Sequence, residues 1–174
     1  MSEQIPFVDV EFMENAEPRC PCVLLLDTSH SMNGQPIDQL NEGMELLSRA
    51  LLADELASNR VEIAVVTFGG KVEPAQKFTL PRDFIPQAFS ASGNTPMAEA
   101  VVKGYQLLEA RKEEYRRAGV QYFRPWMFLI TDGAPTDASS PYWSDAVRLV
   151  QNGEDNKHLS FFGVRVNNAD KVKL

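Results

Sequence analysis

Short continuous apolar runs, spaced by segments of helix length, constrain this chain more than any other feature. "CVLLLD" (22–27), "VEIAVVTFGG" (61–70), "PWMFLITDGAPTD" (125–137) and "LSFFGVRV" (159–166) each hold such a run, the pattern of a strand covered on both faces. After the first, "MNGQP" supplies turn residues, and Pro36 suits the first turn of a helix. Ile37, Leu40, Met44, Leu47 and Leu51 then recur at three- and four-residue steps, predicting an amphipathic helix that ends near Ser58–Asn59. "KVEPAQKFTL" follows the Gly69–Gly70 turn too closely for a parallel crossover, so it is expected to return as an antiparallel hairpin strand. The proline-rich 81–96 reads as irregular. A long helix is predicted from Met97 to about Arg117, with Met97, Val101, Tyr105 and Leu108 on one stripe, and another over "SPYWSDAVRLVQNG" (140–153).

The order is strand, helix, strand, strand, helix, strand, helix, strand. It predicts an α/β fold: a Rossmann-like three-layer α/β/α sandwich with a mostly parallel central sheet and one short antiparallel strand. "FVDVEF" (7–12) is a further candidate strand at an edge. A length of 174 residues favours a single domain over 1–174.

Charge narrows the function. A formal net charge of −7 argues against a general phosphate-backbone binder, which needs clustered Lys and Arg. The one cationic cluster, "ARKEEYRRAG" (110–119), is broken by two glutamates and reads as a solvated helix face. The N-terminus carries early acids and lacks the apolar core of a signal peptide. No run approaches the roughly 18 apolar residues of a membrane span. A soluble, cytoplasmic protein with neither nucleic-acid nor membrane partner is therefore expected. Cys20 and Cys22 are the only cysteines. A bridge between them would close a tight ring of poor geometry, and two thiols make a weak zinc signal.

Two of the apolar runs end in aspartate, Asp27 and Asp132. Ligands of such sheets bind outside the carboxyl ends of the strands, so adjacent strands would bring both carboxylates to one rim. Either acid alone reads equally well as a turn or N-cap residue. The pair together with Ser29 and Ser31 fits that reading less well. A near-extended chain points residues i, i+2 and i+4 to one side, so Asp27, Ser29 and Ser31 can converge on one point. Carboxylate and hydroxyl oxygens suit a hard cation such as Mg²⁺.

Asp27-Thr28-Ser29-His30-Ser31 resembles the D-x-S-x-S signature of von Willebrand factor A (VWA) domains, which carry a metal-ion-dependent adhesion site (MIDAS). That site also draws a threonine from a later loop and an aspartate after a later strand. Thr95 in "SGNTPM" and Asp132 in "LITDGAPTD" match in order and spacing. The likeness spans roughly 18–168. "CVLLLDTSHSMNGQPIDQLNEGM", "GNTPMAEAV" and "FLITDGAPTD" further resemble the bacterial stand-alone branch related to TerY, whose cytoplasmic members accompany tellurium-resistance and stress-response systems.

The resemblance implies a metal site of Asp27, Ser29, Ser31, Thr95 and Asp132. Ser29 and Ser31 would bind directly, Thr95 directly or through water, and Asp27 and Asp132 partly through water. The cation implied is Mg²⁺, with Mn²⁺ or Ca²⁺ as alternatives, and its open position would take an Asp or Glu carboxylate from a protein partner. The function implied is metal-dependent protein binding without catalysis. His30 departs from the family's usual glycine. A full domain of the family usually adds a further helix and strand, which would make this chain a truncated or compact variant.

Two other readings stay open. One is Mg²⁺-dependent phosphotransfer with Asp27 as covalent nucleophile, as in haloacid-dehalogenase-like enzymes. Those place a second aspartate two positions on as general acid, where this chain has Ser29. The other is a VWA fold that has lost its metal. Nucleotide binding is disfavoured, because neither G-x-G-x-x-G nor G-x-x-x-x-G-K-[ST] follows the first strand.

Overall fold

The computed structural model describes residues 10–166. The apolar runs form a five-stranded sheet of order β3-β2-β1-β4-β5. β1 (Cys20–Asp27) lies at its centre, which is why its sequence carries no polar alternation. It pairs in parallel with β2 (Val61–Gly69) on one side and β4 (Trp126–Thr131) on the other. β5 (Ser160–Arg165) extends the sheet in parallel beyond β4. β3 (Lys71–Thr79) returns from the Gly69–Gly70 turn antiparallel to β2, as expected of the hairpin.

Helices cover both faces. Alternate residues of β1 and β2 point opposite ways and meet different partners. Leu24, Leu26, Ile63 and Val65 pack against Ile37, Leu40 and Met44 of α2 (Gln35–Ala53). On the other face, Val23, Leu25, Ala64 and Val66 meet Ala98, Val101 and Leu108 of α4 (Met97–Ala118), with Ala146 of α5 (Pro141–Asp155) beside them. β1 connects outward to β2, whereas β4 connects outward to β5 on the opposite side. The topological switch therefore falls between the carboxyl ends of β1 and β4, where ligands of such sheets bind. Among the described residues no helix is long and apolar enough to cross a membrane.

Three sequence expectations are corrected. The helix expected to reach Ser58–Asn59 is broken at Asp54, which is extended (φ −100°, ψ 116°) and begins α3 (Glu55–Arg60). Its carboxylate accepts the Ala57 N–H at 2.9 Å, so a good capping residue competes with continuation of the helix. The edge strand proposed at "FVDVEF" is instead a helical turn over Val10–Met13, α1, and residues 7–9 lie outside the described residues. Phe12 of that turn is buried edge-on against Tyr115 and lies 4.8 Å below the Arg111 guanidinium, contacts that a surface edge strand would not make.

The third correction concerns "ARKEEYRRAG". It is not wholly a solvated face: Arg111, Lys112 and Tyr115 are buried. Arg111 Nε donates to Glu62 Oε2 at 2.8 Å, Arg19 Nε donates to Oε1 at 3.1 Å, and the Tyr115 hydroxyl donates to Oε2. Glu62, at the start of β2, thus draws this part of the cationic cluster inward.

Candidate metal centre at the sheet rim

β1 delivers Asp27 to the rim fully buried. A buried carboxylate needs donors to offset its desolvation, and two are supplied. The Ser29 N–H donates to Oδ1 at 2.9 Å, and the Thr131 hydroxyl, at the end of β4, donates to Oδ2 at 2.5 Å. Beyond Asp27 the chain stays extended through Ser29 (φ −71°, ψ 168°) before the single 3₁₀ turn His30–Met32.

That turn places Ser31 Oγ 3.2 Å from Ser29 Oγ, and Ser31 donates to Asp132 Oδ1 at 2.8 Å. A hydroxyl has one proton, and Ser31 gives its own to Asp132. Ser29 is therefore the donor between the two serines, and both oxygens keep lone pairs to offer. Ser29 is buried and Ser31 exposed, so the row runs from the sheet interior out to solvent. Among the described residues neither Asp27 nor Asp132 has an ion pair with Lys, Arg or His.

Thr95 reaches the rim by another route. Its loop is tied down through the backbone: the His30 N–H donates to the Gly93 carbonyl at 2.8 Å, the Gly70 N–H to the Asn94 carbonyl at 2.9 Å, and the Ser92 N–H to the Thr28 carbonyl at 2.8 Å. Such close nesting requires glycine. A Cβ on Gly69 would stand 2.3 Å from the Thr28 carbonyl oxygen, and one on Gly93 (φ 77°) 2.5 Å from Gly70 Cα. Thr95 is buried and bonds through its backbone, to Thr136.

The structure thus joins Asp27, Ser29, Ser31 and Asp132 by direct or adjacent hydrogen bonds, and ties the Thr95 segment to His30 in the serine loop and to Thr136 in the Asp132 loop. The loop after β4 borders a surface depression of about 390 Å³ lined by Thr131, Gly133, Ala134, Gly163, Val164 and Arg165. Sequence reasoning did not assign Thr131, Thr136 or Asp137 to the rim. Their only signal was position within "ITDGAPTD", immediately around the aspartate that was singled out. Among the described residues no group of three or more His, Cys, Asp and Glu is placed to hold a metal ion, so cation binding at the rim would depend on the serine hydroxyls.

Comparison with known proteins agrees with this architecture. The family profile of the von Willebrand factor type A domain matches residues 22–174. No curated protein matches the chain. Among solved structures, the manganese-loaded TRAP protein of Plasmodium vivax is similar over 85% of this chain and 58% of its own, at 16% identity and a TM-score of 0.56. The pilus adhesin SpaC from Lactobacillus rhamnosus GG, in an open conformation, is similar over 69% of this chain and 15% of its own (19% identity, TM-score 0.58). BatB from Bacteroides thetaiotaomicron is similar over 84% and 66% (17% identity, TM-score 0.54). The chain therefore spans less than two thirds of each of these proteins, and at such identities the likeness carries the fold alone.

Proposed function

The chain belongs to the von Willebrand factor type A domain family, a family of protein-interaction modules, and from that premise we propose that it binds a partner protein through a divalent cation held at the β1/β4 rim. One observation carries the proposal: the row Ser29 Oγ, Ser31 Oγ and Asp132 Oδ1, spaced 3.2 and 2.8 Å. Adjacent ligands of an octahedral Mg²⁺ at about 2.1 Å stand about 3 Å apart, so the two serine oxygens, 3.2 Å apart, have a spacing that a hard cation can bridge. Ser29 and Ser31 would bind it through their hydroxyls. Thr95 would approach from the nested loop. Asp27, with both oxygens engaged by protein donors, and Asp132 would act partly through water. Bound there, Mg²⁺ (or Mn²⁺ or Ca²⁺) supplies a concentrated positive charge that a partner's Asp or Glu carboxylate can complete. That one structural relative is manganese-loaded supports a divalent ion.

Phosphotransfer through Asp27 is disfavoured by the same geometry. Asp27 is 0% exposed and its two carboxylate oxygens are turned to protein donors, so neither is presented to a substrate for attack. The resemblance of the three motifs quoted above to the TerY-like branch supports, in our reading, a cytoplasmic role in tellurite resistance or stress response. The tellurite sensitivity of a strain lacking the gene tests that assignment.

The metal proposal is tested by isothermal titration of Mg²⁺ and Mn²⁺ into chelator-stripped protein. Wild type is expected to bind one ion, and Ser29→Ala/Ser31→Ala to bind none while keeping its fold. Equal affinity in the two proteins would remove the site as drawn.

A further inference from the structure

Two residues outside the metal constellation join its two late loops. The Thr95 N–H donates to Thr136 Oγ1 at 2.9 Å, and the Thr136 N–H returns a bond to the Thr95 carbonyl at 3.0 Å. One residue further, the Asp137 carboxylate accepts the Ala98 N–H at 3.2 Å and the Glu99 N–H at 3.0 Å. These are first-turn donors of α4, which lack partners inside the helix. The preceding residue, Pro96, has no side chain able to cap them. Their acceptor comes instead from the loop after β4. That loop therefore holds Ser31 through Asp132 near its start, and grips the Thr95 segment through Thr136 and Asp137 further on.

We propose that Thr136 and Asp137 are positioning residues for the rim, latching the Thr95 loop to the Asp132 loop so that both close on a cation as one unit. This rests on the metal-binding reading above. The physical need is plain: a ligand side chain must be held within about 0.5 Å of its working position, and Thr95 is held by main-chain bonds rather than by its own hydroxyl. Of the bonds that fix its segment, those from Thr136 and Asp137 alone come from the loop carrying Asp132. Residues that support ligands in this way commonly govern metal affinity by about 10- to 100-fold.

The test is Mn²⁺ binding, read from the free-ion electron paramagnetic resonance signal, with folding followed by circular dichroism. Thr136→Val and Asp137→Asn are expected to weaken binding about 10- to 100-fold, while Thr136→Ser, which keeps the hydroxyl, retains wild-type affinity. Each is then repeated in a Thr95→Ala background. A latch that acts through Thr95 should there lose most of its effect, because the two changes share one interaction. Wild-type affinity in Thr136→Val and Asp137→Asn would overturn the latch. So would a loss of equal size with and without the Thr95 hydroxyl, which marks a merely structural role. Absence of Mn²⁺ binding by wild type would overturn the metal reading and the latch together, and shows before any variant is compared.

Discussion

Tyr115 shows how one side chain can report on a buried charge. It is fully buried, with its hydroxyl on the Glu62 carboxylate and its ring 5.3 Å from the Arg111 guanidinium. Burial, and then the neighbouring Glu62 charge and hydrogen bond, push its phenol far above the ordinary tyrosine range. The sign follows by linkage. Above about pH 10 the unfolded chain releases the phenolic proton while the folded chain keeps it, so stability is present below that pH and is lost as pH rises beyond it. Tyr115→Phe is expected to flatten this alkaline slope while costing about 1–3 kcal/mol at pH 7 through the lost hydrogen bond. Urea unfolding of both proteins between pH 7 and 11 checks it. The buried Cys22 thiol, raised by its Cys20 neighbour and by burial, adds a slope common to both, so their difference isolates Tyr115. An unchanged difference across that range would refute the assignment.

At the scale of elements, what was legible was what is local. The continuous apolar runs gave the strands, and three- and four-residue spacing gave α2 and α4, because a period records burial directly. Asp27, Ser29 and Ser31 could be singled out because they stand within five residues of one another, although the 3₁₀ turn His30–Met32, and not an extended two-residue period, brings Ser31 Oγ to Ser29 Oγ. The partners that complete the rim are not local. Thr131 meets Asp27 across 104 residues, and Thr136 meets Thr95 across 41. No periodicity reports such pairs. Arg111 was hidden differently: a charge run suggests solvent unless an acid is known to lie opposite, and Glu62 stands 49 residues away. The α2–α3 break was masked because Leu51 and Leu52 carry the apolar pattern up to it, while its cause is one capping carboxylate. Asp54→Ala removes that cap and is expected to destabilise by about 1 kcal/mol, seen as a lower urea midpoint with an unchanged m-value. A change below a few tenths of a kcal/mol would mean that packing, not capping, sets the break.

For the molecule as a whole, the sheet keeps its two charged sites at opposite ends. Glu62, with Arg19 and Arg111, sits where β1 and β2 begin, and the rim lies where β1 ends. The eight residues of β1 put about 23 Å between them, well beyond the roughly 7–10 Å within which substitutions usually couple. The two ends should therefore be energetically separable although one strand connects them. Glu62→Gln leaves the buried Arg19 guanidinium without its counter-charge, while Arg111 keeps Glu114 at 2.6 Å, and is expected to cost about 3–5 kcal/mol. Mn²⁺ at about 100 times its dissociation constant should add about 2.7 kcal/mol to folded wild type by mass action. The same increment is expected in Glu62→Gln, and none in Ser29→Ala/Ser31→Ala. Urea titrations of the three proteins with Mn²⁺ and with chelator measure both quantities. A reduced increment in Glu62→Gln would mean that β1 transmits strain along its length. An equal one would mean that the central strand isolates the rim from the stability of the opposite end, so that the binding loops can vary without unfolding the domain that carries them.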